Sequence, residues 1–223
     1  MAGYGCAVSS TGEPAASDEP SQYFQTEPTV QSKPRSIELV LPDVYLNLTT
    51  DTGVFSGERV DGGSRYLMQG HPPIPSHATT ILDLGCGYGP IGLAAAKRAP
   101  AAQVWGIDVN ARAVRLASMN AEANAITNAR FTLTSDLPSD LSFDLILSNP
   151  PIRIGKSALH ELLTTWLDRL SPGGVAWMVV QKHLGSDSLA SWLSEQGWET
   201  TRLGSRKGFR ILQSHARPGP LST

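Results

Sequence analysis

With 223 residues, the chain is long enough for one sizeable α/β domain and a short extension. A hydrophobic fraction of 40% and a charged fraction of 17% are typical of a soluble globular protein. No apolar run approaches the ~18 residues that a membrane span needs, and residues 1–10 lack the basic start and apolar stretch of a signal peptide. The two cysteines, Cys6 and Cys86, fall in a polar tail and a glycine loop, so we expect no structural disulfide and a cytoplasmic protein.

The net charge of −2 argues weakly against a nucleic-acid partner, but the charges are unevenly distributed. Residues 1–32 carry four acidic residues and no Lys or Arg, so residues 33–223 hold all 18 basic residues against the remaining 16 acidic ones. From residue 200 onward there are five basic residues and no acidic one: Arg202, Arg206, Lys207, Arg210 and Arg217. Such a patch suits phosphate contacts, although chance clustering on a solvated surface is an equally good interpretation.

The first 78 residues read as a tail followed by a small β element. Residues 1–32 are rich in Ser, Pro, Gly, Glu and Gln without periodicity, which predicts disorder interrupted by Tyr23-Phe24. Residues 36–41 and 45–49 alternate partly and flank Pro42, which predicts a β-hairpin. A glycine-rich connection over 53–63 and a mixed stretch then lead to residue 78, so we place a hairpin and covering segment at 33–78.

From residue 79 the pattern becomes short apolar runs alternating with helical segments. This is typical of a mostly parallel sheet with helices on both faces, and we assign it to one domain over 79–217. We predict strands at 79–84, 103–108, 131–134, 143–148, 175–181, 199–203 and 209–213. We predict helices at 91–98, 111–124, 157–170 and 187–196, with Ser-Pro-Gly-Gly at 171–174 ending the third of these.

A glycine loop over 85–89 follows the first of these strands and precedes a helix. Gly85, Gly87 and Gly89 let the backbone turn sharply and approach a ligand closely. In open α/β sheets ligands bind beyond the carboxyl ends of the strands, where this loop lies. Asp108, at the end of the next strand, is placed to accept hydrogen bonds from two ribose hydroxyls. The sequence therefore predicts a nucleoside-containing cofactor.

Two cofactor classes fit this loop. Gly87, Gly89 and Gly92 satisfy the dinucleotide pattern GxGxxG, which by itself is a weak signal. Asp83, two residues before the first glycine, can face the ammonium group of S-adenosylmethionine but would repel a pyrophosphate. No Tyr-x-x-x-Lys pair for hydride chemistry is present, so we favour S-adenosylmethionine over a nicotinamide.

The segment Asn149-Pro150-Pro151-Ile152 is the most specific element. It follows the apolar run 143–148, and the two prolines supply no donors and stiffen the backbone. The amide oxygen of Asn149 and the carbonyl of Pro150 can then hold an exocyclic amine with its lone pair aimed at a methyl group. These acceptors bind the amine more strongly as it becomes positive, and no strong base is needed before attack. A turn that happens to read Asn-Pro-Pro is the weaker alternative.

These segments together resemble the small-domain family of class I methyltransferases, typified by the RsmC-type 16S rRNA guanine-N2 methyltransferases. Residues 83–89 match that family's cofactor loop, and 148–156 match its catalytic segment. Residues 53–56 with Asp61 and Gly63 resemble the stretch that covers the cofactor, and 207–212 resemble the closing strand. The similarity runs from about residue 23 to 213. It implies a Rossmann-like fold with a seven-stranded sheet behind a β-hairpin.

The resemblance also implies S-adenosyl-L-methionine as donor, S-adenosyl-L-homocysteine as product, RNA as substrate and a bacterial cytoplasmic enzyme. Together with the residue patterns it gives the expected catalytic residues Asn149, Pro150, Pro151 and Ile152. The expected cofactor-binding residues are Asp83, Gly85, Cys86, Gly87, Gly89, Asp108, Val109, Asp136 and Asn149. The expected substrate-binding residues are Phe55, Arg153, Lys156, Lys207 and Arg210. Val109 could equally be core, Asp136 could simply open a loop, and Arg153 and Lys156 could simply serve solubility.

The chain departs from the family at two points. Many relatives place an aromatic residue after Asn-Pro-Pro to stack on the target ring, whereas Ile152 offers only apolar contact. The sequence therefore does not determine which base is methylated. Longer members carry a second, degenerate domain for which 223 residues leave no room. We therefore expect the rRNA, or a ribosomal assembly intermediate, to be recognised by basic residues, the tail or a second subunit. We expect the protein to be a monomer or a homodimer.

Other functions stay open at this point. Asn-Pro-Pro also occurs in protein glutamine methyltransferases, generally followed by tyrosine. A nicotinamide-dependent oxidoreductase and a non-catalytic RNA-binding assembly factor are the alternatives from other classes. The five histidines show no ligand spacing with Cys, Asp or Glu, so we expect no metal.

Overall fold

In the computed structural model, residues 27–70 and 73–217 are described, and they form nine strands and five α-helices. The strands are β1 (Arg35–Val40), β2 (Tyr45–Thr50), β3 (Thr80–Leu84), β4 (Gln103–Asp108), β5 (Ala129–Leu133), β6 (Phe143–Ser148), β7 (Leu170–Gln181), β8 (Thr200–Arg206) and β9 (Phe209–His215). The helices are α1 (Gly62–Gly70), α2 (Pro90–Arg98), α3 (Ala111–Ala123), α4 (Lys156–Leu167) and α5 (Ser186–Glu195). Of these helices in the described part, none is long and apolar enough to cross a membrane.

Seven of the strands form one sheet in the order β5-β4-β3-β6-β7-β9-β8. The first five are parallel, and β9 runs antiparallel between β7 and β8. The predicted Rossmann-like, mostly parallel sheet behind a hairpin is therefore confirmed. Because β3 to β7 are parallel, their carboxyl ends meet at one edge, and the chain segments that follow them are brought together there.

The central strands of the sheet are buried on both faces, which explains why they read as continuous apolar runs. On β3, Ile81 packs into a core with α2, α3 and the hairpin, while Leu82 faces the opposite core. On β6, Leu145 and Ile146 divide in the same way. The second core lies under α4 and α5 and contains Trp198, which is fully buried.

The hairpin of β1 and β2 shares the first core rather than forming a unit of its own, since Leu39, Leu46 and Leu48 are fully buried in it. Asn120 of α3 fastens the hairpin in place. Its Nδ2 donates to the carbonyls of Thr49 and Tyr88, each at 2.9 Å, and its Oδ1 accepts from the Thr49 N–H at 2.7 Å. Segment 33–78 is thus continuous in packing with the sheet domain.

Helix α1 is the main element that the sequence prediction missed, because its first two residues are glycines. Asp61 compensates for them: its Oδ2 accepts from the N–H groups of Gly63 and Ser64, at 2.7 and 3.0 Å. An aspartate in this position satisfies donors that the first helical turn leaves free. The buried Leu67 and Met68 then hold the helix against the core.

Strand β7 begins at Leu170, so the Ser-Pro-Gly-Gly segment predicted as a break lies within the strand. The pairing with β6 is irregular here, as Phe143 faces Leu170 and Leu145 faces Val175. This irregularity takes up the proline and the glycines at the start of the strand, which explains why turn residues do not interrupt it. Helix α4 accordingly ends earlier than predicted, at Leu167.

Part of the segment predicted as disordered packs on the fold. The guanidinium of Arg112 in α3 donates to the carbonyls of Val30 and Pro28 at 3.0 and 3.3 Å, and Pro28 is buried. Ser32 Oγ donates to Asp51 at 2.6 Å. The boundary at residue 32 was therefore wrong for residues 27–32. The predictions for residues 1–10, Cys6 and Tyr23-Phe24 lie outside the described residues.

Candidate functional site

The glycine loop after β3 has open space on one side and tight packing on the other. Gly85 and Gly87 have φ values of +74° and +55°, and a Cβ added to either would meet nothing within 4 Å. Gly89 has φ +92°, but a Cβ there would lie 3.1 Å from that of Ala117. The first two glycines thus leave room for a ligand, whereas the third allows α2 to pack against α3.

Asp83 is fully buried beneath this loop. Its Oδ2 accepts from the Gly92 N–H at 2.7 Å, but its Oδ1 is buried without a hydrogen-bond partner among the described residues. Burial, helped by the nearby Asp108 carboxylate, raises the pKa of Asp83 to about 7. A buried carboxylate oxygen without a partner costs free energy, and a cationic group at this position would offset that cost.

Asp108 ends β4 beside the loop. Its Oδ2 accepts from the Gly87 N–H and its Oδ1 from the Asn110 N–H, both at 2.9 Å. Burial raises the pKa of Asp108. The Val109 N–H also acts on this carboxylate, and with about four lone-pair sites the group can still accept from a hydroxyl.

The other predicted cofactor residues surround this position. Val109 is 43% exposed beside Asp108, as an apolar contact for a base requires. Asp136 is exposed in a short 3-10 turn after β5, the strand next to β4. Cys86 differs, since its side chain is buried and burial raises its pKa well above the usual value. Cys86 can therefore contact a ligand through its backbone but not through its thiol.

Asn149 is the first residue after β6, and it lies next to the glycine loop. The preceding residue, Ser148, pairs with Leu84 across the sheet, and its Oγ donates to the Leu84 carbonyl at 2.8 Å. The Asn149 Nδ2 donates to Asp61 Oδ2 at 2.8 Å and to Ser64 Oγ at 3.1 Å. Its Oδ1 accepts no hydrogen bond from residues 27–70 or 73–217. The amide is thus held by its nitrogen, and its oxygen remains available as an acceptor.

The two prolines form a tight turn. The Ile152 N–H donates to the Pro150 carbonyl at 2.8 Å, and Pro151 has φ −76° and ψ +73°, the geometry of an inverse γ-turn. The Pro150 carbonyl therefore has one lone pair occupied and one available as an acceptor. Ile152 is half-buried against the core under α4.

The predicted substrate contacts divide into exposed and buried groups. Arg153 and Lys156 are exposed just after the Asn-Pro-Pro turn, Lys207 is exposed in the β8–β9 turn, and Phe55 is 51% exposed. Arg210 is buried and paired with Asp187. A direct phosphate contact by Arg210 was therefore a wrong expectation, because its guanidinium is buried and faces Asp187 of α5.

Topology brings these basic groups to the same edge of the sheet. Gln181 at the end of β7 pairs with Phe209, so the β8–β9 turn lies at the carboxyl end of β7. The Lys182 N–H donates to the Gly208 carbonyl at 2.7 Å, which ties the two segments together. We define the basic rim as the exposed basic residues at this edge: Arg153, Lys156, Lys182, Arg206 and Lys207. None of the five forms an ion pair within residues 27–70 and 73–217.

At this edge the sequence placed Asp61 only in the stretch that covers the cofactor, and it did not predict Ser64 or Lys182 as site residues. Asp61 and Ser64 hold the Asn149 amide, and Lys182 extends the basic rim. The signal for Asp61 was present, since an aspartate followed by glycines and an apolar run is a helix start. Its contact with a residue 88 positions away was not accessible from the sequence.

Comparison with known proteins places this geometry in a family. Residues 45–213 match the model of the methyltransferase small domain. The chain is 38% identical to the Bacillus subtilis (strain 168) protein YbxB over 195 residues, which cover 86% of this chain and 96% of that one. It is 32% identical to ribosomal RNA large subunit methyltransferase G of Shewanella amazonensis, over 65% of this chain and 40% of that one.

Among solved structures, the fold is similar to the T. thermophilus 16S rRNA N2 methyltransferase RsmC in complex with AdoMet and guanosine. The TM-score is 0.72 at 25% identity, and the match covers 85% of this chain and 52% of that one. The chain thus spans about half the length of the rRNA methyltransferases that it resembles.

These matches decide between the two cofactor classes, because the family and the structural neighbour use S-adenosylmethionine. The unpartnered oxygen of Asp83 fits the ammonium group of this cofactor, and the Asp108 carboxylate fits its ribose. The open space at Gly85 and Gly87 lets the cofactor approach the protein backbone. The chain belongs to the methyltransferase small-domain family of S-adenosylmethionine-dependent enzymes.

Proposed function

We propose that the chain methylates an exocyclic amine of a base in ribosomal RNA, with guanine N2 of 16S rRNA as the target. The observation that carries this proposal is the fixed amide of Asn149: its nitrogen is held by Asp61 and Ser64, and its oxygen is left as an acceptor beside the glycine loop. An acceptor in this position suits a substrate that is a hydrogen-bond donor, as an amine is.

The chain's own residues would act by binding and orientation. Asn149 Oδ1 and the remaining lone pair of the Pro150 carbonyl would each accept one N–H of the amine. Holding both hydrogens directs the nitrogen lone pair away from the two acceptors. As the nitrogen becomes positive during attack, both hydrogen bonds strengthen, so the site binds the transition state better than the ground state.

S-adenosylmethionine supplies an electrophilic methyl group when it is bound, and Asp83 and Asp108 would orient it. The Asp83 carboxylate would pair with the ammonium and Asp108 would accept from the ribose hydroxyls, with Val109 and Asp136 beside the adenine. These contacts lie at the ends of β3 and β4 or just after β4 and β5, whereas the amine acceptors follow β6. The two reactants would therefore be held by adjacent strands of one rigid sheet, which favours reaction through proximity.

The basic rim supports a polyanionic substrate. Arg153 and Lys156 directly follow the Asn-Pro-Pro turn, Lys182, Arg206 and Lys207 lie at the carboxyl end of β7, and Phe55 adds an exposed aromatic surface. Exposed cations without ion-pair partners are the groups that contact phosphates in sequence-independent RNA binding. A relative is named for the large ribosomal subunit and a structural neighbour for 16S rRNA, so 23S rRNA is the second candidate substrate with the same chemistry.

Ile152 favours an RNA substrate over a protein substrate. Glutamine-methylating enzymes generally place tyrosine after Asn-Pro-Pro, whereas Ile152 is aliphatic and half-buried against the core. We retain a monomer or homodimer and a cytoplasmic location as parts of the proposal, since a ribosomal substrate would be met there.

The test is methyl transfer by the purified chain from tritiated S-adenosylmethionine to ribosomal RNA from a strain lacking the gene. We expect wild type to label small-subunit RNA, and mass spectrometry of nucleosides to identify N2-methylguanosine. Asn149→Ala should abolish labelling while its affinity for S-adenosylmethionine, measured by calorimetry, stays within about threefold of wild type. Asn124→Ala, at a half-buried asparagine that follows the C-terminal end of α3, is the matched control and should retain activity.

Three outcomes would contradict the proposal. Equal turnover by Asn149→Ala would remove the proposed site. Labelling of protein but not of RNA would indicate a glutamine methyltransferase. Binding of the cofactor without labelling of any RNA or ribosomal particle would indicate a non-catalytic assembly factor.

A further inference from the structure

Asp61 makes two kinds of contact with a single oxygen atom. Its Oδ2 accepts from the Gly63 and Ser64 N–H groups of α1, and also from Asn149 Nδ2. The capping bonds are local, but the bond to Asn149 joins the end of β6 to a segment 88 residues earlier. The site therefore depends on a residue outside the glycine loop and the Asn-Pro-Pro turn.

The chemistry of this contact fixes which way the Asn149 amide points. A carboxylate only accepts hydrogen bonds, so the NH₂ end of the amide must face Asp61. Ser64 Oγ, 3.1 Å from the same nitrogen and buried, takes the second amide hydrogen. With both hydrogens engaged, the amide oxygen must point to the other side. A flipped amide would place its oxygen against the carboxylate and present donors to an incoming amine.

Asp61 is itself rigidly placed. Its backbone carbonyl accepts from the Arg65 N–H at 2.9 Å, so the residue is fixed at the start of α1 through both backbone and side chain. Gly63 cannot carry a side chain without collision, because an added Cβ would lie 2.9 Å from both Asp61 Oδ2 and the ring of Phe209. Gly63 thus lets α1 start close to Phe209 of β9, with Asp61 directed at Asn149.

From this geometry we infer that Asp61 is a positioning residue for methyl transfer, holding the Asn149 amide with its oxygen directed to the substrate amine. The inference rests on the proposed amine methylation and deepens it. It also gives the covering segment a role in the reaction, because the order of the first turn of α1 and the orientation of the Asn149 amide depend on the same carboxylate oxygen.

Two substitutions separate positioning from helix capping. Serine caps helices well, but its hydroxyl lies closer to the backbone, so Asp61→Ser should keep α1 while withdrawing the acceptor from Asn149. The Asp61→Asn variant would keep an amide oxygen where the carboxylate oxygen lies, and this oxygen should accept both the capping bonds and the bond from Asn149. We expect kcat to fall about 10²-fold in Asp61→Ser, as for a catalytic group released from its productive geometry, and at most about tenfold in Asp61→Asn. KM and cofactor affinity should stay within about threefold in both.

A spectroscopic measurement tests the inference without substrate. The side-chain NH₂ signals of Asn149, assigned in ¹⁵N spectra through their loss in Asn149→Ala, should be widely separated in wild type because both hydrogens are bonded. They should stay separated in Asp61→Asn and collapse toward solvent-exposed values in Asp61→Ser. If wild type methylates no RNA but the signals behave in this way, the proposed function fails and the orientation holds. If Asp61→Ser keeps the wild-type signals or the wild-type kcat, the positioning role is overturned.

Discussion

Replacing Asp83 with asparagine should increase the stability of the cofactor-free protein relative to wild type as pH rises from 5 to 8, while weakening cofactor binding. The carboxylate is fully buried, one oxygen lacks a partner among the described residues, and burial raises its pKa to about 7. Asparagine has nearly the same shape, and its oxygen can still accept from the Gly92 N–H. It removes the cost of the buried charge.

The sign and magnitude follow from proton linkage. Between its ordinary value of 3.8 and about 7, Asp83 is protonated in the folded chain and ionised in the unfolded chain. Wild-type stability should therefore fall by about 1.4 kcal/mol per pH unit as pH rises through this range, and level off above pH 7. Asp83→Asn has no such term. The difference in unfolding free energy, variant minus wild type, should grow by about 2 to 3 kcal/mol from pH 5 to pH 8.

Urea denaturation of both proteins at pH 5, 6, 7 and 8 measures this difference, and any constant cost of burying the asparagine NH₂ cancels in the comparison. Saturating S-adenosylmethionine, at about 100 times its Kd, should stabilise wild type by about 2.7 kcal/mol at pH 7.5 and the variant much less. A difference that stays flat from pH 5 to pH 8 would refute a raised pKa at Asp83. Equal stabilisation of both proteins by the cofactor would refute its pairing with the ammonium.

Two further pairs of substitutions test the loop and the hairpin. Gly87→Ala should lower the affinity for S-adenosylmethionine at least tenfold in calorimetry, because the added Cβ enters the open space at positive φ, and should cost about 1 kcal/mol in stability. Gly89→Ala should mainly lower the melting temperature, because its Cβ would lie 3.1 Å from that of Ala117. Equal losses of affinity in the two variants would contradict this division. Asn120→Ala should lower the free energy of unfolding in urea by about 3 kcal/mol, because it removes buried hydrogen bonds to Thr49 and Tyr88. Asn124→Ala should lower it by less than about 1 kcal/mol, because Asn124 bonds the exposed backbone of Asn47. Similar costs would show that burial does not determine what these hydrogen bonds contribute to stability.

The amino-acid sequence by itself determined the sheet domain and the chemistry of its loops. Apolar runs such as 81–84 and 145–148 are buried on both faces, so they read as parallel strands without knowledge of their neighbours. Because parallel strands end at one edge, the positions of Asp83, Asp108 and Asn149 just before or after strand ends were enough to predict that they meet.

Tertiary structure decided what happens to groups whose partners are distant in the chain. Arg210 belongs to a basic run in sequence, but β9 buries it against Asp187. Helix α1 was missed because glycine propensity opposes a helix, and capping by Asp61 together with burial of Leu67 overrides that propensity. The orientation of the Asn149 amide depends on an aspartate 88 residues away, and hydrogen-bond partners at such separation are set by how the chain packs, which local sequence does not encode.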